Sequence, residues 1–223
     1  MKNLTLENIA RVCGGTYYGP ADKLQEEVMS VITDSRKAEE GCLFVPIVGE
    51  RVDAHKFIPQ VMKAGALATL SERVLDNADF PYIAVESSLQ AVKDIAEFYL
   101  KQLQIPVVGI TGSVGKTTTR EMISTVLASQ KKVFQTIGNQ NSQIGVPLTL
   151  SHLTREDEIA VLEIGMSERG QIEKLTNMIR PNVAVVTMIG VSHIAQLKTQ
   201  ENICLEKMDI VKGLPEDGMV FLN

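Results

Sequence analysis

The 223-residue sequence predicts an α/β protein in two parts: a small N-terminal α/β domain over residues 1–104, then a parallel, doubly wound domain over residues 105–223 that stops with its sheet incomplete. Three observations carry that reading. Beyond residue 107, continuous apolar and β-branched runs alternate with helical patterns, the order expected of strands covered on both faces by crossover helices. A Gly-rich stretch separates the first of these runs from the first of these helices. The two parts meet at an amphipathic helix over 88–104, which Ile105-Pro106 ends.

Each element follows from a local pattern. In the N-terminal part, short apolar runs at 28–33, 42–45, 66–70 and 82–85 predict strands, and 55–64 predicts a helix. In the joining helix, Leu89, Val92, Ile95, Ala96, Tyr99 and Leu100 recur at helical spacing, with Lys93, Asp94, Glu97 and Lys101 opposite. Strands are then expected at 107–110, 133–136, 159–164, 183–187 and 219–222. The clearest helix between them is 118–129, with Met122, Ile123, Val126 and Leu127 as one apolar stripe, and another is expected over 201–211. The last strand follows the turn Pro215-Glu216-Asp217-Gly218. A chain end on an apolar strand is expected of a fragment.

Composition narrows the classes. Hydrophobic residues at 44% and charged residues at 22% exclude a disordered or fibrous chain. With 22 Lys+Arg against 27 Asp+Glu, a net charge of −5 and no basic cluster, the chain lacks the electrostatic footprint of a nucleic-acid binder. Cys13, Cys42 and Cys204 show neither CxxC nor Cys/His spacing, which argues against a disulfide framework or a zinc site and for a reducing compartment. Glu7 and Arg11 interrupt the N-terminus before a signal peptide could form, and no stretch is long enough for a membrane span. A cytoplasmic location is expected.

The segment TGSVGKTTT at 111–119 lies between a strand and a helix, the context a phosphate loop needs. Gly112 and Gly115 let the backbone N–H groups of Ser113, Val114 and their neighbours curl around phosphate oxygens, with Thr118 opening the helix whose dipole favours the anion. Lys116 would reach the β- and γ-phosphates of ATP, and the Thr117 hydroxyl would ligate Mg²⁺. The strict motif wants Gly at position 110, where this chain has Ile110. The competing reading is a Gly-rich turn that caps a helix, with Lys116 in solvent.

The run 159–163 ends in Glu163, which in a parallel sheet falls on the same edge as the phosphate loop and could ligate Mg²⁺. A hydrated carboxylate at a strand end is the equal alternative. His193 follows the 183–187 strand to that edge; an exposed loop histidine is the ordinary reading. Lys207 falls in the 201–211 helix, where a solvated lysine paired with a nearby acid is expected. His55 and His152 lack a partner pattern and are read as structural.

Three segments together resemble the Mur ligase family, the ATP-dependent amide-forming enzymes of peptidoglycan synthesis: TGSVGKTTT at 111–119, GNQNSQIGVPLTL at 138–150, and EIGMSERGQIE at 163–173 followed by RPNVAVVTMIGVSH at 180–193. Upstream, TDSRKAEEGCLFVPIVGERVDAHKFI at 33–58 is similar to the family's UDP-sugar-binding N-terminal domain. The second segment is most similar to the member that adds D-alanyl-D-alanine to UDP-N-acetylmuramoyl-tripeptide. The resemblance implies a UDP-binding first domain, a P-loop ATPase second domain, ATP and Mg²⁺ as cofactors, and ligation through an acyl phosphate. It implies Lys116 and Thr117 on ATP and its metal, Glu163 and His193 on metal, and a carbamylated Lys207 holding a second Mg²⁺. Ser35, Arg36, Glu50, Arg51, Val52 and Asp53 match the stretch that contacts the uridine diphosphate, and Asn139 and Asn141 the asparagines near the phosphates and muramoyl substrate. Ser142, Met188 and Ala54 depart from the family pattern. A monomer that binds substrates without completing ligation is expected. The alternatives are a related ligase of the diamino-acid-adding or folylpolyglutamate type, and a non-catalytic nucleotide- or UDP-sugar-binding module.

Overall fold

The computed structural model describes residues 1, 3–49 and 51–223. They divide into two compact units, Met1–Tyr99 and Leu100–Asn223, with the division in the last turns of one helix. In chain order the first unit holds α1 (Leu6–Val12), β1 (Thr16–Tyr18), β2 (Val31–Ile32), β3 (Leu43–Phe44), α2 (Ile58–Lys63), β4 (Ala68–Ser71), β5 (Tyr82–Ala84) and most of α3 (Ser88–Leu103). The second holds β6 (Val107–Thr111), α4 (Lys116–Leu127), β7 (Val133–Gln135), α5 (Gly145–Leu150), β8 (Ile159–Glu163), α6 (Gln171–Ile179), β9 (Val183–Val186), α7 (Ile194–Leu197), α8 (Gln200–Met208) and β10 (Met219–Leu222).

The first sheet runs β1-β5-β4-β3-β2, parallel except for β1, which pairs antiparallel with β5. Its core gathers Ile32, Cys42, Phe44, Ile58, Val61 and Ala66, so α2 covers this sheet through Ile58 and Val61. Thr5 starts α1 by accepting the Asn8 N–H, and Leu6, Ile9 and Ala10 form its buried stripe. The expected 28–33 strand shrinks to two residues. Met29 is 70% exposed, and its N–H bonds to Gly41 O outside a ladder.

The second sheet runs β10-β9-β6-β8-β7, all parallel. This is the doubly wound class expected. β6 lies at the centre, with β8 and β9 on its two sides, so the chain reverses its direction of winding there and the carboxyl ends open a crevice. On one face Val108, Ile110 and Val161 pack with Ile123 and Leu127 of α4. On the other, Gly109 leaves just enough room for Ile164, Pro181 and Ile210.

Two expectations need correction. Met122 and Val126 do not join the buried stripe of α4; they are 66% and 72% exposed. The buried face is Arg120, Ile123, Ser124 and Leu127, spaced i, i+3, i+4, i+7, so two polar residues occupy places that hydropathy alone gave to two apolar ones. β10 is not covered on both faces: it is an edge strand whose four side chains are all exposed.

Candidate active site

Thr111 ends β6, and residues 112–115 turn back over the sheet before Lys116 begins α4. Two glycines permit this path. Gly112 and Gly115 have φ of 153° and 87°, where a side chain is strained, and Gly115 caps α4 without any side chain covering the first-turn N–H groups. Those N–H groups remain available to an anion. The loop is tied to the segment after β9: Thr187 donates to Val114 O at 2.6 Å, Gly190 N–H to Ser113 Oγ at 2.9 Å, and Ser113 N–H to Met188 O at 2.8 Å. Lys116 Nζ donates to Gly112 O at 2.8 Å. Burial pushes the Lys116 ammonium below its ordinary range, and Glu163 pulls it back.

Glu163 ends β8 directly beside β6, in register with Ile110, and is 1% exposed. Its Oε1 lies 3.0 Å from Arg120 Nη1 in an ion pair whose geometry leaves Oε1 without a hydrogen bond, and its Oε2 accepts from Asn141 Nδ2 at 3.4 Å. Arg120 also donates to Thr136 O at 2.9 Å and Gly138 O at 3.2 Å and pairs with Glu121. Sequence reasoning did not single out Arg120. Its signal, a basic residue one turn after Lys116 on the same helix, is common on helix surfaces.

A cavity of about 290 Å³ opens at this edge, lined by Lys116, Asn141, Ser142, Gly165, Met166, Ser167, Gln171, His193 and Lys207. His193 reaches it from a left-handed backbone, φ 66°, at the start of α7. Burial lowers its pKa, with Lys207 and Lys116 adding to the effect. Lys207 is not the solvated helix lysine expected: it is 2% exposed, and burial, with Lys116 beside it, lowers its pKa to about 8. Its neighbour Glu206 points the other way and accepts the Gly170 and Ile172 N–H groups at 2.8 and 3.1 Å. Gly165 lets the 139–145 loop close in, its N–H donating to Asn141 O at 2.7 Å. Four sequence-selected residues therefore converge on the cavity, and Glu163 meets it through Asn141. Thr117 and Thr118 are exposed on the first turn of α4, and Asn139 is exposed on the loop.

In the first unit, Ser35 and Arg36 lie in a short 3₁₀ turn after β2, and Arg51, Val52 and Asp53 in the loop after β3, at the carboxyl ends of adjacent parallel strands. Glu50 lies outside the described residues. His55 is buried, accepts the Glu72 N–H at Nε2 and therefore donates from Nδ1 to Asp53 at 2.6 Å. The His55 backbone N–H and then its ring hold the Asp53 carboxyl below its usual range.

The fit of a metal can be judged from these groups. Among the described residues no three His, Cys, Asp or Glu side chains form a ready cage. Mg²⁺ does not need one, since it takes one or two carboxylates together with substrate phosphates and water. The Glu163 carboxylate, buried beside the phosphate loop with its Oε2 held only by the 3.4 Å contact from Asn141, fits that chemistry.

The family model described as Mur ligase middle domain matches residues 110–223. The chain belongs to the Mur ligase family. Among Mur ligases, it is 43% identical over 218 residues to UDP-N-acetylmuramoyl-tripeptide--D-alanyl-D-alanine ligase of Bacillus subtilis (strain 168), covering 97% of this chain and 48% of that protein. The crystal structure of MurF from Acinetobacter baumannii superposes with a TM-score of 0.92 at 31% identity, over 98% of this chain and 48% of that one. MurF from Thermotoga maritima, solved in complex with ADP, gives 0.81 at 36% identity, over 86% and 45%. The chain spans about half the length of the curated relatives it matches. No helix among the described residues is long and apolar enough to cross a membrane.

Proposed function

We propose that this chain serves an ATP-dependent carbon–nitrogen ligase of peptidoglycan precursor synthesis, which joins D-alanyl-D-alanine to UDP-N-acetylmuramoyl-tripeptide. Residues 1–104 form its UDP-sugar-binding domain and residues 105–223 its P-loop ATP-binding part, working as a monomer in the cytoplasm. The observation that carries the reading is the convergence of Lys116, Asn141, His193 and Lys207 on one cavity beside the phosphate loop and Glu163. The names of the relatives supply the substrates.

The residues suit that chemistry. A carboxylate is a poor acyl donor, so the γ-phosphoryl group of ATP is first transferred to the tripeptide carboxylate, and the dipeptide amine then displaces phosphate from the acyl phosphate. Residues 112–118 cradle the phosphates through N–H groups, and Lys116 exchanges the Gly112 carbonyl for a phosphate oxygen. Thr117, Glu163 and His193 would hold Mg²⁺, which supplies charge neutralisation on the transferring group when bound. Burial lowers the Lys207 pKa to about 8, which raises the neutral fraction of its amine above that of an ordinary lysine, and the neutral amine can add CO₂ and release a proton to give a carbamate. That converts a cation into an oxygen donor for a second Mg²⁺. Ser35, Arg36, Glu50, Arg51, Val52 and Asp53 contact the uridine diphosphate, and Asn139 and Asn141 the phosphates and muramoyl group.

Calorimetry of ADP with Mg²⁺ tests the reading. The chain binds ADP, and Lys116→Ala abolishes binding while leaving UDP binding intact. Unchanged ADP affinity in a folded Lys116→Ala variant would sink it.

A further inference from the structure

We propose that Arg120 is a positioning residue for the divalent cation: it engages Oε1 of Glu163 and leaves Oε2 for the metal. The inference rests on the reading of Glu163 as a metal carrier and adds a residue that no motif assigns.

Arg120 is 5% exposed on the buried face of α4, among Ile123, Ser124 and Leu127. A guanidinium there is costly to the extent that its donors go unmatched. Nη1 meets Thr136 O, Gly138 O and Glu163 Oε1 at 2.9, 3.2 and 3.0 Å, Nη2 meets Glu121, and Nε has no hydrogen-bond partner. The planar fork thus ties three things to the phosphate-loop helix: the end of β7, the loop that carries Asn139 and Asn141, and the carboxylate at the end of β8. For Glu163 the pairing is uneven. Its Oε1 faces Arg120, whereas its Oε2 has only a long 3.4 Å contact with Asn141, which lines the cavity with Lys116, His193 and Lys207. A carboxylate has about four lone-pair sites, so the cavity-side oxygen keeps unused capacity. Without Arg120 the buried carboxylate has, among the described residues, no other cation within ion-pair distance and would turn away in place of presenting that oxygen. Partners behind a metal ligand set its orientation in this way.

The test is ADP affinity measured by calorimetry across a Mg²⁺ series, on the full chain, for wild type, Arg120→Lys, Arg120→Met, Glu163→Gln and the double variant Arg120→Lys/Glu163→Gln. In Arg120→Met the Mg²⁺ concentration that half-saturates the gain in ADP affinity should rise about tenfold or more, with a smaller rise in Arg120→Lys. ADP affinity in EDTA should stay at the wild-type level, which a merely collapsed loop would not allow. In the Glu163→Gln background, Arg120→Lys should shift nothing further. If Arg120→Met does not fold, this last comparison decides. A wild-type Mg²⁺ requirement in folded Arg120→Lys and Arg120→Met, or a shift that persists without the Glu163 carboxylate, overturns the role of Arg120. Wild-type ADP affinity that ignores Mg²⁺ overturns the metal-site reading itself, and the proposal with it.

Discussion

A methyl group at position 112 has no room: it would collide with Thr187 Oγ1, on a backbone whose φ of 153° already disfavours a side chain. Gly112→Ala should therefore destabilise the second unit by about 1–3 kcal/mol in urea unfolding and weaken ADP binding. Adding Thr187→Ala should recover part of the loss by removing the colliding hydroxyl, although the bond from Thr187 to Val114 O goes with it. Strictly additive effects of the two substitutions would show that the collision is not the cause. In the first unit, the Arg36 guanidinium, followed by its backbone N–H, holds the Asp34 carboxyl at about 2. Its pKa is depressed on folding, so the associated stability is complete above the unfolded value of about 3.9 and is lost as pH falls toward 2. Arg36→Ala should move the Asp34 midpoint upward in a carbon-13 NMR titration. Because both groups border solvent, the stability at stake is small. An unmoved midpoint would mean that the Arg36 backbone N–H alone sets the value.

At the scale of elements, Glu206 links α8 to α6. It supplies the cap that Gly170 cannot, taking two N–H groups of the α6 start, and so fixes the helix on which Lys207 faces the cavity. Glu206→Ala should cost about 1–3 kcal/mol, because two N–H groups lose their carboxylate partner in a largely buried place. Denaturant unfolding measures this, and a loss below about 0.5 kcal/mol would mean that water replaces the cap. Strands β2 to β10 and helices α2, α3, α4 and α8 were legible because their apolar runs are continuous or their ends carry Gly, Pro or a cap, whereas β1, α1 and α6 were not singled out. α5 was not legible either, since Gly145-Val146-Pro147 opens it with poor helix formers and it is stabilised by burial of Val146, Pro147 and Leu150. The face of α4 was misread for a related reason. Hydropathy assigned the stripe to Met122 and Val126, whereas the positions facing β8 and the loop are set by what Arg120 must reach. Lys207 was legible only through resemblance, because a lone helical lysine gives no sign that neighbouring elements will bury it.

At the scale of the whole molecule, the class of the second sheet could be read from the alternation of runs, but the order β10-β9-β6-β8-β7 could not, because each crossover may lead to either side. That order decides the chemistry. With β6 central, the phosphate loop, Glu163 and the 187–193 segment all end at one edge, whereas a sequential order would have separated them. The first unit repeats the logic with its own parallel strands, which bring 35–36 and 51–53 to a second edge. Each ligand should accordingly protect its own unit. At about a hundred times its dissociation constant a ligand stabilises the state that binds it by about 2.7 kcal/mol, enough to slow amide exchange about a hundredfold where opening requires its release. In hydrogen exchange, ADP with Mg²⁺ should slow amides at 107–119 and 187–193, whereas UDP should slow those at 31–36 and 51–55. Protection of 31–55 by ADP and of 107–119 by UDP would reverse the assignment of ligands to units. Equal protection of both segments by either ligand would show that a single cooperative opening governs exchange, and that the edges cannot be assigned separately by this route.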